Sequence, residues 1–405
     1  MQFTSSLRRA AQQRPNGMAI IHRERGKTYR QLESRVACLA SGLLELGIKP
    51  GDVVALVGHA NDRQLEAQYA LAWAGAVAAP ILPTLPLEAL VQRMNRLQAV
   101  AAIIDDAALE HADALIDHCP FVRVLIFNGQ GALPELAKSQ EQLVIDADPI
   151  ADSDTGGDAP LIVYFASALA GDASAVQLSH RNVCAASLLH AAEGAFADEA
   201  IGLVALPSGS STHGLITAGL VNRAAAQVFI ERFEAAAIHD AIYDHGVTDL
   251  ALTTLLFRQL LAHAGDDWSP LSSLRRITYV GPTLPESLIA QLNDRLPNTG
   301  LFHVLSIVEL SGLAAVLPAS RHGPNWRGSD AQRSAGRALS QVELRIIDDR
   351  GQELPRGVAG ELVARGPTVM LGYLDQPDET AAVLRHGWLH TGITATMDVD
   401  GYLHL

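Results

Sequence analysis

Cysteine is scarce in this chain. Cys38, Cys119 and Cys184 stand far apart, odd in number and without metal-ligand spacing, which excludes a disulfide scaffold or a thiolate metal centre and fits reduced thiols in a cytosolic protein. Aromatic residues make up only 5% of the chain, and basic residues are few: 30 Lys and Arg against 44 Asp and Glu, a net charge of −14. With no basic cluster to offset it, that balance repels phosphate backbones and anionic lipid, so no nucleic-acid partner is expected. Long hydrophobic runs are also missing. The longest, residues 70–82, is too short to span a bilayer and carries Gly75 and Pro80. The N-terminus has no charged region followed by an apolar run and a small-residue cleavage site; with no membrane span and no export signal, a cytoplasmic location is expected. Low-complexity tracts and short-period repeats are absent. What remains is a chain of 405 residues, 48% hydrophobic and 18% charged, long enough for two or three subdomains with sizeable cores.

The periodicities predict α/β architecture. Thr28 with Gln31 reads as a capping box opening a helix whose apolar positions Leu32, Val36, Leu39, Leu43 and Leu46 recur at helical spacing until Gly47. A Lys-Pro-Gly turn at residues 49–51 feeds an apolar strand at 53–57, a helix at about 62–74 and a strand at 77–80. Strands apolar on both faces belong in a largely parallel sheet covered by helices. Residues 146–160 are acidic, small and turn-rich, the best internal boundary. Beyond it a second unit is expected to open with a strand at 161–165 and to continue through 203–206, 227–230, 250–252 and 277–280. After residues 318–337 the period shifts to strands and tight turns, predicting an antiparallel module around 342–347 and 360–364. The expected spans are 1–150 for a first α/β lobe, 160–330 for a second and 331–405 for the β module.

Residues 165–182 read F-A-S-A-L-A-G-D-A-S-A-V-Q-L-S-H-R-N. Their closing L-S-H-R-N resembles the segment that follows the phosphate loop of the adenylate-forming (AMP-binding) superfamily, which includes acyl-CoA synthetases and peptide-synthetase adenylation domains. Three further segments resemble that family in order and spacing: 281–284 (G-P-T-L), 366–380 (G-P-T-V-M-L-G-Y-L-D-Q-P-D-E-T) and 387–392 (G-W-L-H-T-G), with Gly336-Arg337 and Gly360-Glu361-Leu362 between them. The resemblance covers nearly the whole chain. It implies the family's main domain, with two α/β lobes of mainly parallel strands, a small antiparallel β module, and an acyl or aryl acid pocket near His213, Gly214, Gly281, Pro282 and Ser306.

The departures fall at positions that carry chemistry. The family loop is rich in glycine and hydroxyl groups and holds one lysine, because pyrophosphate needs close backbone approach, donors and positive charge. Here only Ser167, Gly171 and Val176 match, and Ser174 is the one other hydroxyl among alanines. A family threonine that meets the nucleotide phosphate is replaced by Val308, beside a retained Glu309 at the position that holds magnesium in the family. The carboxylate that accepts from both ribose hydroxyls is replaced by Ile393, after Thr391 and Gly392. The chain also stops at Leu405, so the family's mobile C-terminal domain is expected to be absent. These substitutions lead us to expect a degenerate nucleotide site (Ser167, Gly171, Ser174, Val308, Glu309, Ile393), no cofactor, and neither ATP nor Mg²⁺ binding unless Glu309 retains a cation.

The expected function is therefore an acyl-CoA-synthetase-like protein without independent ATP-dependent ligase activity. It would act by binding an acyl or aryl acid, docking an acyl carrier protein, or regulating a partner synthetase. Two alternatives remain: ATP-independent acyl transfer from a preactivated thioester, with Ser210, Ser211 and His213 as candidate groups, and a ligase completed by a C-terminal domain in trans. The emptied loop reads either as an ordinary strand-to-helix connection or as a divergent anion site. Glu309 reads as a paired side chain or a cation ligand, and the Ser210 to His213 run as pocket lining, helix capping or a nucleophile and base.

Overall fold

The computed structural model describes residues 1–22, 25–166, 173–195, 199–230 and 234–405. Two eight-stranded sheets and a smaller antiparallel sheet make up the fold. The first large sheet is built on Val53–Val57, flanked by Val77–Ile81 on one side and by Ala101–Ile104, Val124–Phe127 and Ala137–Ser139 on the other, all parallel. The second runs through Ala226–Val228, Ile201–Ala205, Asp249–Thr253, Arg276–Val280 and Gly300–Leu305, also parallel. The central strands of both are buried on both faces, as expected when helices cover each side, while the edge strand Ala137–Ser139 exposes Lys138. Glu343–Ile347, Gly360–Arg365, Trp388–Met397 and Leu384–Arg385 form the antiparallel sheet. Among the described residues no helix is long and apolar enough to cross a membrane.

The sheets cut across the spans read from the sequence. The hairpin Met18–His22 and Arg25–Thr28 joins the second sheet, pairing in parallel with Ala226–Val228. Pro160–Phe165, expected to open the second unit, instead joins the first sheet beside Val77–Ile81, followed by Ala175–Ser179 and then by Gly372–Tyr373. A strand that is apolar on both faces must be paired and covered on both sides, but its own pattern does not say which sheet provides the partner.

Local signals are realised where they were legible. Thr28 caps the helix Tyr29–Glu45: its hydroxyl accepts from the Gln31 backbone N–H, and the Gln31 side chain accepts from the Thr28 N–H. The L-S-H-R-N tail repeats the device. Ser179 and Asn182 form a reciprocal capping box at the start of the helix His180–His190. Asn182 Nδ2 also donates to the carbonyls of Pro367 and Val369, each at 2.8 Å. His180 Nδ1 accepts from the Phe3 N–H at 3.2 Å. The Asn182 bonds tie the helix start to the segment that delivers Gly372–Tyr373 to the first sheet, and the His180 bond ties it to the N-terminal segment. Asn182→Ala, which removes the cap partner and leaves two carbonyls unmet, is expected to cost about 2 kcal/mol of stability in urea unfolding.

Candidate functional site

Three of the segments that carried the resemblance, 360–362, 366–380 and 387–392, converge with Glu309 on one cleft. Strand Gly300–Leu305 ends in a short turn, Val308–Leu310, which the left-handed Ser311 (φ 58) and Gly312 (φ 79) close. A side chain on Gly312 would place its Cβ 2.6 Å from the Thr212 backbone nitrogen, so only glycine permits this approach to the helix Ser211–Asn222. The contact is locked by hydroxyls: Thr212 Oγ1 donates to the Gly312 carbonyl at 3.1 Å and lies 2.6 Å from Ser306 Oγ. Facing the turn are Tyr373 and the start of strand Trp388–Met397. Together they enclose a cleft of about 230 Å³ lined by Ile307, Glu309, Glu361, Tyr373, Arg385 and Thr391, among others.

Within it the Tyr373 hydroxyl donates to Glu309 Oε1 at 3.1 Å, and Met370 N–H donates to the Glu309 carbonyl. Burial, reinforced by the Glu309 charge, pushes the Tyr373 hydroxyl well above its ordinary pKa, so it remains a donor. The Glu361 carboxylate holds His390 Nδ1 at 2.9 Å and accepts from the Gly392 N–H at 3.1 Å. Thr391 Oγ1 donates to the Leu362 carbonyl and accepts from the Ile393 N–H. Val308 and Ile393 both pack against the main hydrophobic core. The Glu309 carboxylate thus has Tyr373 as a hydrogen-bond partner and follows the apolar Val308 in the turn. Among the described residues no group of three or more His, Cys, Asp and Glu is placed to hold a metal ion. Ser167 and Gly171 lie outside the described residues. The Ser174 carbonyl accepts from the Ala166 N–H at 2.9 Å, closing the ladder between Pro160–Phe165 and Ala175–Ser179.

Sequence reasoning missed Tyr373, Glu361 and Arg385 as members of this cleft. The first two stood inside segments already quoted as family-like, and that position was the available signal; nothing marked Arg385.

The residues expected to form an acyl pocket are spread more widely. His213 lines a cavity of only about 20 Å³, together with Leu56, Gln64, Gln68, Ser208 and Phe229 rather than with Gly281, Pro282 or Ser306. Gly214 packs where any Cβ would lie 2.1 Å from the Tyr164 hydroxyl. Gly281 gives its carbonyl to His303 Nε2 at 2.8 Å, and Thr254 Oγ1 ties Val280 and Pro282. His303 is a core histidine, stacked on Tyr279 at 4.8 Å.

Ser210 is the N-cap of the helix Ser211–Asn222 and makes no side-chain cap bond. Ser211 and His213 are two apart on that helix and do not face each other. Ser211 Oγ and His213 Nδ1 are both buried without partners, and burial pushes the His213 imidazole down to about 4. The run is not assembled as a nucleophile and base.

Residues 7–374 match the model of the family described as "AMP-binding enzyme". The chain is 27% identical to a feruloyl-CoA synthase from Amycolatopsis over 98% of its own length and 76% of that protein. It is 28% identical to an indoleacetate–CoA ligase from Aromatoleum aromaticum, covering all of this chain and 78% of that one. Among solved structures it is similar to the amide bond synthetase McbA from Marinactinospora thermotolerans, with a TM-score of 0.84, 25% identity and coverage of 100% of this chain and 78% of that one. The N-terminal domain of FACL13 from Mycobacterium tuberculosis shares the fold at a TM-score of 0.87 and 21% identity, over 100% of this chain and 99% of that domain.

Proposed function

The chain belongs to the AMP-binding enzyme family, and from that premise we propose that it keeps the family's cleft but does not by itself activate carboxylates with ATP. The observation that carries this reading is the pair Glu309 and Ile393. In the family, the resemblance implies, these positions hold magnesium and ribose. Here the Glu309 carboxylate is engaged by Tyr373, and the residue after Gly392 is an isoleucine packed against the core. At these two positions the residues do not supply the free carboxylates that ribose and magnesium contacts would use. Losing one preorganised donor to developing charge costs roughly 10²–10³ in rate, and several are replaced together.

In this reading the protein acts by holding an acyl or aryl acid, by docking a carrier protein, or by regulating a partner synthetase. The names of its relatives, among them a feruloyl-CoA synthase, an indoleacetate–CoA ligase and a medium-chain-fatty-acid–CoA ligase, cover both aryl and aliphatic acids. ATP–pyrophosphate exchange tests the proposal. With ferulate, indoleacetate and fatty acids the exchange is expected to stay at background, and ATP·Mg²⁺ is expected to leave the melting temperature unmoved. Acid-dependent exchange above background would overturn the reading.

A further inference from the structure

A second cleft, of about 610 Å³, lies away from the Glu309 cleft and shares no lining residue with it. It sits beyond the carboxyl ends of strands Val53–Val57, Ala101–Ile104 and Val124–Phe127. Those ends carry His59 and Asn61, Asp105 and Asp106, and Asn128 and Gly129. His22, at the end of Met18–His22, and Ile230, just past Ala226–Val228, close it from the second sheet. The chain leaves Val53–Val57 for Val77–Ile81 on one side and leaves Ala101–Ile104 for Val124–Phe127 on the other, so the two exits diverge. A crevice opened by such divergence is where open α/β sheets bind ligands.

Much of the charged hydrogen-bonding capacity in this cleft is already engaged within the protein. Asp62 is engaged by His22 Nδ1 at 2.7 Å and Lys27 Nζ at 2.6 Å. The Arg63 guanidinium donates to the carbonyls of Asn128 and Gly129. Asp105 accepts from the N–H groups of His59 and Ala107, and Asp106 from those of Gln130 and Gly131. By contrast both side-chain polar atoms of Asn128, which is 2% exposed, have no partner, and neither does Nε2 of His22, 4% exposed. A buried amide with its donor and acceptor both unmet is costly to keep. The lining carries Asp62, Asp105, Asp106 and Glu234 against Arg25 and Arg63, a balance that does not favour anions.

We propose that this cleft is a second ligand site, and that it takes an uncharged molecule presenting a donor beside an acceptor, the complement of the Asn128 amide. A primary carboxamide and a nucleobase edge both carry that pair, and asparagine reads such an edge with two parallel hydrogen bonds. Binding there does not depend on whether the Glu309 cleft handles nucleotide.

Titration of the full chain with nicotinamide and, separately, with adenosine, followed by ligand-observed NMR, tests it and distinguishes the two sources. One probe is expected to bind saturably. Asn128→Leu is expected to weaken that binding about tenfold or more, while the unliganded melting temperature holds or rises because an unmet polar group has gone. Should Asn128→Leu not fold, Asn128→Asp, similar in size but lacking the donor, should give the same loss. The proposal is overturned if neither probe saturates, or if binding persists undiminished in both variants.

Discussion

Asp62→Ala is expected to remove about 3–5 kcal/mol of folding stability, the range for breaking a buried ion pair from one side. Asp62 is 1% exposed at the first turn of the helix Asp62–Ala74, where its charge also faces the helix N-terminus. Its carboxylate meets Lys27 Nζ at 2.6 Å, His22 Nδ1 at 2.7 Å and the Arg25 guanidinium at 3.3 Å. Burial alone would raise its pKa. The His22 hydrogen bond and the Lys27 charge outweigh burial and hold the carboxyl well below the usual carboxylate range. Without it, Lys27 keeps only the longer contact to Glu66 at 3.4 Å, itself shared with Arg35. Urea unfolding of the variant should show a lower midpoint at unchanged slope. A loss below about 1 kcal/mol, the surface-pair value, would refute the assignment. Replacing Lys27 by methionine as well should recover part of the loss, because the orphaned charge is then gone.

The second large effect is expected on acidification. Burial pushes the imidazoles of His180, His190, His213 and His322 down to about 4, against an ordinary value of 6.5. The native state keeps them neutral, as the His322 environment illustrates: Nδ1 faces the Pro318 carbonyl and Nε2 the Tyr279 hydroxyl, a set that suits one tautomer of the uncharged ring. In the unfolded chain they take up protons as pH falls through 6.5, so their stability contribution is present above that value and is lost between it and about 4. Each contributes up to about 1.4 kcal/mol per pH unit in that window. Asp105, Asp152 and Asp249, whose pKa values burial raises, act in the opposite sense as pH falls. The net fall between pH 7.5 and 5.5 is expected to be about 4–6 kcal/mol, a large share of a typical domain's stability. Urea midpoints at the two pH values measure it, and His322→Gln should flatten the dependence. Equal midpoints would refute it.

How much of this was legible beforehand follows from how far apart the interacting residues lie. The Thr28 capping box, the helix Asp62–Ala74 and the strand Val53–Val57 depend on neighbours a few residues away, and their patterns are visible in the chain. Sheet membership depends on pairings such as Ile20 with Gln227 and Gly372 with Gln177, which no local period encodes. The same division holds for the site. Glu309 and the segments around it could be found by order and spacing. The Tyr373 bond to Glu309 and the Glu361 bonds to His390 and Gly392 required the fold. Ser211 and His213, candidate groups of the alternative acyl-transfer reading, are close in sequence, yet helical phase points them apart.

The placement of Gly372–Tyr373 at the edge of the first sheet has a consequence for synthesis. The strand beside it, Ala175–Ser179, pairs with residues almost 200 positions later in the chain, while Met18–His22 waits for Ala226–Val228. Neither large sheet can be finished from the segment that begins it. As the chain emerges from the ribosome, early strand edges therefore stay open until most of the polypeptide has appeared. Slow closure of distant contacts is intrinsic to such topology, and open edges on nascent chains invite misassembly. The interval before residue 373 emerges is when those edges are most available for misassembly.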